Sequence, residues 1–528
     1  MKSVKRKRIV QFIKTSSPWL IYALLLIVPL LFLAVQSLVD MSSAEESVFQ
    51  NWISVRSMNL LFDSILLACL VSVFAMLISL LFGLLVYTRW SGFIREMKWI
   101  LLFFAVIPPY VQASVWLDVF SLFGWPTQGL LISFWVQLLS LLPLSLLMVI
   151  YGYQQVQTDV IEAGRLLSSD QLVLRKIILP AVKPFVITSG GVLFVFSLLD
   201  YTIPTIFQYP VYSLEILEEF AATGQVLYPF LKSIILMLII VPVLVGSAYW
   251  FINMNAKPLQ SNLSAGVKLK FSLLVKFGLS LLCLLLILVF LIPIFDLFFR
   301  SGSLIEVPTA LQDNMRILIH SVHMAFWSSF AMIVLAYWLL STIRSLNLFA
   351  WLIILLPLCV PQALSGLSLS VFWNQSFFHQ VYGSNLMLIL VNIIRFGPIA
   401  VLILYLFKSR ISENLVEAGK VYQANRFRRF RQLDLPLHLP GIITAFLLLF
   451  ILSLGEVGAS IAVIPPGGET LSIRIFNYLH YGAGEVVSGI SLSVFALLLL
   501  GYFLHLLYRK TKGTRSTQGS SSIKTTES

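Results

Sequence analysis

The chain has 528 residues, of which 59% are hydrophobic and only 11% are charged. Soluble proteins are nearer half apolar and a quarter charged, so this composition excludes a soluble multidomain protein and indicates a polytopic, all-α membrane protein. The formal net charge of +13 could suit a nucleic-acid partner, but the basic residues flank apolar segments as they do beside membrane helices. We therefore expect the lipid bilayer, and no nucleic acid, as the chain's surroundings.

About twelve apolar segments reach the roughly 20 residues that a spanning helix needs. The first six are predicted near 18–38, 58–88, 98–122, 128–152, 184–207 and 228–253. The second six are predicted near 270–298, 316–341, 347–373, 386–408, 440–464 and 486–508. The first segment follows a basic N-terminus without a clear small-residue cleavage site, so it is interpreted as an anchor rather than a cleaved signal peptide.

The charges between the segments predict their orientation. The loops that an even number of spans places inside are basic, and the largest group lies at 408–431. The loops placed outside are acidic or neutral, with acidic residues at 40–46 and 215–219. Because positive residues stay on the cytoplasmic side, we expect both termini there.

The sequence repeats itself once, at an offset of 256 residues. Residues 179–184 match 435–440, and residues 72–76 match 328–332. This offset predicts two parallel six-helix halves related by an axis along the membrane normal. The predicted units are a first half at 1–254, a linker at 255–268, a second half at 269–508 and a disordered cytoplasmic tail at 509–528.

Each half has one long inner loop between its fourth and fifth spans, at about 153–183 and 409–439. The first loop contains Glu162-Ala163-Gly164, and Pro180 follows 18 residues after the glutamate. The second contains Glu417-Ala418-Gly419, with Pro436 19 residues after its glutamate. We predict a short helix, a break, a second short helix capped by residues 168–170, and a restart at the proline. Two copies at equivalent places argue against a merely solvated basic loop.

These loops resemble the signature of permease subunits of binding-protein-dependent ABC importers. That signature is Glu-Ala-Ala, a glycine four residues later, and then Ile-x-Leu-Pro. The chain resembles the fused subclass, in which one polypeptide carries both halves and of which ferric-iron and thiamine importers are examples. It departs from the signature at Gly164 and Gly419, which replace alanine, and at Ser168 and Gln423, which replace the later glycine.

The resemblance implies that the two loops dock onto two copies of an ABC ATPase subunit, in a bacterial cytoplasmic membrane. The ATPase-coupling residues would be Glu162, Ala163, Gly164, Ser168, Glu417, Ala418, Gly419 and Gln423. The family works by alternating access, driven by ATP hydrolysis in the separate subunits. The chain has no GxxxxGK[ST] phosphate loop of its own, so we expect neither an enzyme nor a cofactor.

An extracytoplasmic substrate-binding protein is the other partner that the resemblance implies. Two outer segments, at about 208–227 and 465–485, precede the last span of each half and are predicted to form short helices at 213–220 and 471–478. Docking of the binding protein is the favoured interpretation of both. A helix that lies on the bilayer surface is the alternative.

Two acidic residues, Asp200 and Glu456, stand late in equivalent apolar spans, about 16 residues after Pro184 and Pro440. Ionisable groups inside spans are costly and often mark a transport pathway. They are therefore pathway candidates that would favour a cation. Carboxylates that cap a helix end through local hydrogen bonds are an equally weighted alternative.

The substrate is less clearly encoded than the class. The outer stretch at 465–482 is more similar to fused ferric-iron permeases than to thiamine permeases, so ferric iron is the first expectation, and thiamine or an organophosphonate is the alternative. No metal-ligand spacing is found in the sequence. A twelve-span secondary transporter is the rival class, but it would not need paired inner loops.

Overall fold

A computed structural model describes residues 16–42, 54–88, 108–254, 272–300, 306–342, 348–377, 379–409, 411, 413–422, 425–480 and 491. Throughout these residues the regular secondary structure is helical. Nine of the helices found there are long and apolar enough to cross a membrane, and one bent pair would make a tenth span. The structure thus confirms the expectation of an all-helical, polytopic membrane protein.

The first half is built from nine described helices. They are α1 (Ser16–Met41), α2 (Val55–Tyr87), α3 (Pro109–Leu122), α4 (Leu130–Gln154), α5 (Thr158–Leu167), α6 (Asp170–Leu199), α7 (Thr202–Ile206), α8 (Tyr212–Thr223) and α9 (Leu227–Met254).

The second half contributes ten more helices. They are α10 (Leu273–Arg300), α11 (Glu306–Thr342), α12 (Leu348–Leu355), α13 (Gln362–Trp373), α14 (His379–Tyr382), α15 (Leu386–Lys408), α16 (Glu413–Tyr422), α17 (Arg426–Arg429), α18 (Leu435–Leu454) and α19 (Leu471–His480).

Two of the twelve predicted spans lie wholly or partly beyond the described residues. The segment predicted at 98–122 is described only from residue 108, and α3 alone has 14 residues, too few to cross a bilayer. The segment at 486–508 is outside the described residues except for 491, as are the linker at 255–268 and the tail at 509–528.

The span predicted at 347–373 is broken rather than continuous. It consists of two helical pieces, Phe349–Cys359 and Gln362–Trp373, that meet at an angle of 94°. Val360, which precedes Pro361, has an extended backbone (φ −89°, ψ 130°), because a residue before proline disfavours the helical conformation. The single-span prediction missed this proline-dependent corner.

The first helix of each half packs against the other half. Helix α1 lies against α13 of the second half as well as α9 of its own half, and its Tyr22 hydroxyl donates to the Ile354 carbonyl of the second half at 2.7 Å. Helix α10 in turn lies against α2 and α3, where it contributes Cys283 and Phe290 to the buried core of the first half. The two halves are therefore held together by α1 and α10, each of which packs on the other half, as well as by the direct contact between the remaining helices.

The motif end of the bundle is where α2 and α4 finish and α5 begins. Tyr153, near the end of α4, stacks on Tyr87 and donates a hydrogen bond to the Leu80 carbonyl at 3.0 Å. Buried residues of α5 and α6, among them Ile161 and Val173, complete the same apolar cluster. This cluster attaches the first inner loop to the membrane helices.

The fourth and fifth spans approach each other closely near the motif end in both halves, but the residues at the contact are exchanged. A Cβ atom at Gly152 of α4 would lie 2.6 Å from the Phe185 ring of α6. In the second half the phenylalanine is on the fourth span, and a Cβ at Gly441 of α18 would lie 2.6 Å from Phe407 of α15. One small and one large residue are thus needed at this crossing, on either helix.

We expect Gly152→Val to lower the free energy of unfolding by about 1–3 kcal/mol, because it overpacks this contact. The exchange Gly152→Phe with Phe185→Gly, which copies the second half, should recover most of the stability that either single substitution loses. Thermal unfolding of the four proteins in detergent measures the coupling. Simple additivity of the two single effects would contradict the exchanged-contact interpretation.

A buried ion cluster fixes helix α8 at the end opposite the motif. The Lys232 ammonium, on α9, donates to Glu215 Oε1 at 2.7 Å and to Glu219 Oε2 at 2.6 Å. Ser57 of α2 donates to the same Glu215 oxygen at 2.6 Å. Only 5% of Lys232 is exposed, so α8 is joined to α9 by an ion cluster that water scarcely reaches, and to α2 by the Ser57 hydrogen bond.

Candidate functional site

The first inner loop folds as a helical elbow. Helix α5 ends at Leu167, Ser168 takes an extended conformation, and α6 starts at Asp170. Arg165 closes the elbow by donating from Nε and NH2 to the two Asp170 carboxylate oxygens, at 2.8 and 3.3 Å. The Ser168 hydroxyl donates back to the Gly164 carbonyl at 2.9 Å. The predicted short helix and break are present, whereas the N-cap residue, Ser169, makes no side-chain capping bond.

The second inner loop has the same order of helix, break and helix, but different hydrogen bonds stabilise it. Helix α16 ends at Tyr422 and α17 begins at Arg426. Asn425 stands where the first elbow has Asp170, and its side chain accepts a hydrogen bond from the Arg428 backbone N–H at 3.5 Å. Gln423, one of the predicted coupling residues, lies outside the described residues.

The helices after the elbows do not restart at the prolines, and this corrects the sequence expectation. Helix α6 runs without interruption from Asp170 through Pro180 to Leu199. A wider π-helical turn, Leu174–Ile178, precedes Pro180, and the Leu179 N–H donates to the Leu174 carbonyl. In the second half the same turn, Phe430–Asp434, joins α17 to α18, so the helix there is also continuous through Pro436. The altered hydrogen-bond pattern absorbs a proline that an ordinary helix interior would not tolerate.

The glycines that replace the signature alanine pack at equivalent contacts. A Cβ on Gly164 would lie 2.6 Å from Ile177 Cδ1 of α6. A Cβ on Gly419 would meet the tip of Leu433, the residue that corresponds to Ile177 at the repeat offset. The absence of a side chain lets each short helix approach the long helix that follows it, and the large aliphatic residue fills the space.

The other motif residues face away from the protein. Glu162 and Ala163 are exposed in the first elbow, and Glu417 and Ala418 are exposed in the second. More unusual are large apolar side chains at the ends of both motif helices. Their exposed fractions are 87% for Leu166, 89% for Leu167, 84% for Val421 and 90% for Tyr422. We call these four residues the apolar tips.

The two pathway candidates both end a fifth span and both cap the turn that follows. Asp200 Oδ1 accepts from the Thr202 N–H at 3.0 Å and from the Thr202 hydroxyl at 2.6 Å. Its Oδ2 accepts from Gln137 of α4 at 3.0 Å. Glu456 Oε1 accepts from the Ala459 N–H at 2.7 Å. The local hydrogen bonds of the alternative interpretation are thus present, and the part of either residue in transport stays a prediction.

A buried arginine, missed by the sequence analysis, completes the second-half site. Arg395 NH1 lies 2.8 Å from Glu456 Oε2 and 3.0 Å from Oε1, and 10% of its side chain is exposed. Arg395 also interacts electrostatically with Asp200 of the first half. The sequence does carry a signal for this residue, since Arg395 is a lone cation within the apolar run of α15.

The halves meet tightly beside these groups. The Tyr201 hydroxyl donates to the Gly458 carbonyl across the interface at 2.7 Å. A cavity of only about 20 Å³ remains between α6 and the turn Leu356–Cys359, lined by Leu199, Leu358 and Arg395 among others. Within the described residues no three His, Cys, Asp or Glu side chains come together as a metal site would need. We call this tight contact between the halves, beside Arg395 and Asp200, the central constriction.

Fold and site together define a polytopic membrane protein of two homologous halves, each with a helical motif exposed at one end. A family model described as "Binding-protein-dependent transport system inner membrane component" matches residues 79–218 and again residues 317–512. Because the two matches cover more than half of the chain, the chain belongs to this family. The double match confirms the duplication predicted from the internal offset.

Individual relatives align over shorter stretches. A Salmonella paratyphi A protein named as a 2-aminoethylphosphonate transport system permease is 33% identical over 86 residues, which is 16% of this chain and 32% of the relative. The trehalose/maltose transport system permease protein of Thermococcus litoralis is 33% identical over 117 residues, 21% of this chain and 39% of the relative. The molybdenum transport system permease protein of Escherichia coli K12 is 32% identical over 111 residues, 19% of this chain and 48% of the relative. The chain thus matches less than half the length of each.

Proposed function

We propose that the chain is the permease subunit of an ATP-driven ABC importer, with both permease halves in one polypeptide and separate ATPase subunits. The observation that carries this proposal is the set of four apolar tips, two on each elbow. Large apolar side chains exposed at equivalent ends of duplicated helices are typical of a surface that a partner covers. Equivalent pairs of tips on the two elbows suit two copies of one ATPase subunit.

The elbows are built to pass movement into the membrane. Helix α6 has 30 residues and is therefore roughly 45 Å long. Its first turn is fastened to α5 by Arg165 and Asp170, and its last residue precedes Asp200 at the contact between the halves. A displacement of the elbow would move this constriction as one rigid element. This gives a physical basis for alternating access driven by ATP binding and hydrolysis.

Co-purification tests the proposal. The tagged protein, extracted in mild detergent, should bring an ATPase with it, and the recovered ATPase activity should fall when Glu162 and Glu417 are both replaced by alanine. Absence of an ATPase from the wild-type preparation, together with unchanged transport by the double variant, would favour a twelve-span secondary transporter instead.

The opposite end would receive the substrate-binding protein, on the outer side of a bacterial cytoplasmic membrane with both termini inside. Helices α8 and α19 form where short outer helices were expected, and α8 ends at Gly224 in the left-handed conformation (φ 65°). Both are attached firmly, α8 by Lys232 and α19 through the Leu471 N–H, which donates to Ser321 at 2.7 Å. Firm attachment would let a docked protein act on the membrane helices.

Two substrates each have a specific support. Ferric iron is supported by the resemblance of the outer stretch at 465–482 and by the acidic Asp200 and Glu456 near the constriction. An organophosphonate is supported by the relative named for 2-aminoethylphosphonate transport and by the buried Arg395. The sign of the charge that the pathway prefers separates the two.

Asp200→Asn is the cleaner variant for this separation. The double variant, Asp200→Asn with Glu456→Gln, should slow uptake of a cationic substrate, but Glu456→Gln also leaves Arg395 without its partner.

 The single variant avoids that complication, and loss of one charged contact should lower uptake of a cation about ten-fold or more. Radiolabelled uptake in cells measures it, with ferric iron and a phosphonate compared. Iron uptake that Asp200→Asn leaves unchanged, together with phosphonate uptake that is unchanged or faster, would count against ferric iron.

A further inference from the structure

We propose that Arg395 is the substrate-recognising group of the central constriction, and that its ligand is a small anion with two or more oxygen atoms, such as a phosphonate or phosphate. This inference rests on the proposed function, because it names the substrate class of the same transport path.

The position of Arg395 is unusual for a charged side chain. It stands in the middle of α15, a helix that is otherwise apolar apart from its ends and Asn392, and only a tenth of its side chain is exposed. Charged groups at this depth are costly and mark binding sites or pathways more often than they stabilise a fold. Arg395 also lines the cavity between the halves, opposite Phe196 and Leu199 of α6.

Part of the guanidinium group is unused. Arg395 NH1 makes both contacts to Glu456, at 2.8 and 3.0 Å. Among the described residues, no acceptor is found for Nε or NH2, and the guanidinium carbon lies 5.3 Å from the Phe396 ring. The edge formed by Nε and NH2 is the part of an arginine that binds two oxygens of one anion side by side.

The first half shows that the Glu456 turn does not need an arginine. Asp200, at the equivalent position, caps its own turn through Thr202 and is met by the neutral Gln137. In the fourth spans the two halves align at an offset of 255, as Pro143 and Pro398 show, so Arg395 corresponds to Ser140, which is neutral. The turn after the fifth span thus forms in the first half without a cation. We infer that Arg395 has a role other than stabilising this turn in the second half.

The constriction must open before a ligand reaches this edge, since the cavity of about 20 Å³ holds little more than one water molecule. Separation of α6 from the turn Leu356–Cys359 would break the Tyr201–Gly458 hydrogen bond and widen the space beside Arg395. Glu456 belongs to the same half as Arg395 and can stay paired with NH1. An entering anion would then accept hydrogen bonds from Nε and NH2 of Arg395, and it would not have to displace the Glu456 carboxylate.

Binding of methylphosphonate to the purified protein, held in nanodiscs together with its ATPase and cycled with ATP, tests the inference. Ligand-observed NMR with inorganic phosphate as a second probe gives the affinity. The key variant is Arg395→Gln with Glu456→Gln, which removes both charges and leaves no unpaired ion, so its melting temperature should stay close to that of the wild type. We expect its affinity for both probes to fall about ten-fold to a hundred-fold. Ser140→Gln, at the equivalent place in the first half, is the matched control and should bind as the wild type does.

Arg395→Lys adds a readout that a purely structural role would not move. It keeps the charge beside Glu456 but loses the two-donor edge, so it should retain stability and lose affinity. Two results would overturn the inference. One is equal affinity in the wild type and in the doubly neutral variant. The other is no binding to the wild type at a probe concentration about ten-fold above the one that saturates a phosphonate-binding protein. If the ATPase co-purifies in that case, only the role of Arg395 fails. If the ATPase is absent from the wild type, the proposed function fails.

Discussion

Replacing the apolar tips, Leu166, Leu167, Val421 and Tyr422, by serine together is expected to abolish stable association with the ATPase subunit while the helical bundle stays folded. Each side chain is 84–90% exposed, so its removal costs the isolated protein little. At an interface, a buried apolar anchor contributes about 2 kcal/mol or more, and four of them account for a loss of affinity well beyond a hundred-fold. Affinity measured by surface plasmon resonance, with ATPase activity on the recovered complex, tests this.

Leu122→Ser with Phe123→Ser is the matched control. These residues are also large, apolar and exposed, at 83% and 62%, but Leu122 ends α3 and Phe123 follows it, at the end away from the motif. The control should bind the ATPase as the wild type does. Equal loss in both variants would show a general effect on solubility or folding, and full retention by the tip variant would remove the main support for docking at the elbows.

Lys232→Met should destabilise the protein by about 3–5 kcal/mol, the usual cost of removing one partner from a buried ion pair. Glu215 is buried and already has one oxygen, Oε2, without a hydrogen-bond partner. Without the ammonium group, Glu215 and Glu219 would face each other with no compensating charge. Thermal unfolding in detergent and proteolysis at α8 measure the effect.

A triple variant, Lys232→Met with Glu215→Gln and Glu219→Gln, separates charge from shape. Because no ion remains unpaired in it, most of the lost stability should return, and Ser57 keeps an acceptor at residue 215. If Lys232→Met alone unfolds like the wild type, the cluster is too hydrated to fix α8. If the triple variant is as unstable as the single one, packing rather than charge holds the helix.

The elbows and the constriction lie at opposite ends of the same two helices, and this arrangement has a consequence for variants. A substitution that loosens an elbow, such as Asp170→Asn beside Arg165, would weaken transmission without touching the substrate path. A substitution at Tyr201 would alter the contact between the halves and leave the elbow intact. ATPase activity and transport should therefore be separable by position along α6.

The sequence by itself determined the class, because composition, charge placement and a repeat are local or periodic signals. Apolar segments of sufficient length predict spanning helices wherever they occur, and the loops at Glu162 and Glu417 carry their own signature. The short helices at both elbows and at both outer segments were also predictable, since each has its own pattern of apolar and polar residues. These features need no knowledge of which helix neighbours which.

Only the tertiary structure decided which groups meet across distant parts of the chain. Arg395 and Glu456 are 61 residues apart, and Tyr201 and Gly458 are 257 apart, so no spacing rule pairs them. The continuous helix through Pro180 was equally hidden, because a π-helical turn depends on how the elbow packs rather than on the proline itself. Pairings of this kind follow from burial, since a buried charge or polar group must be paired with groups on the neighbouring helices.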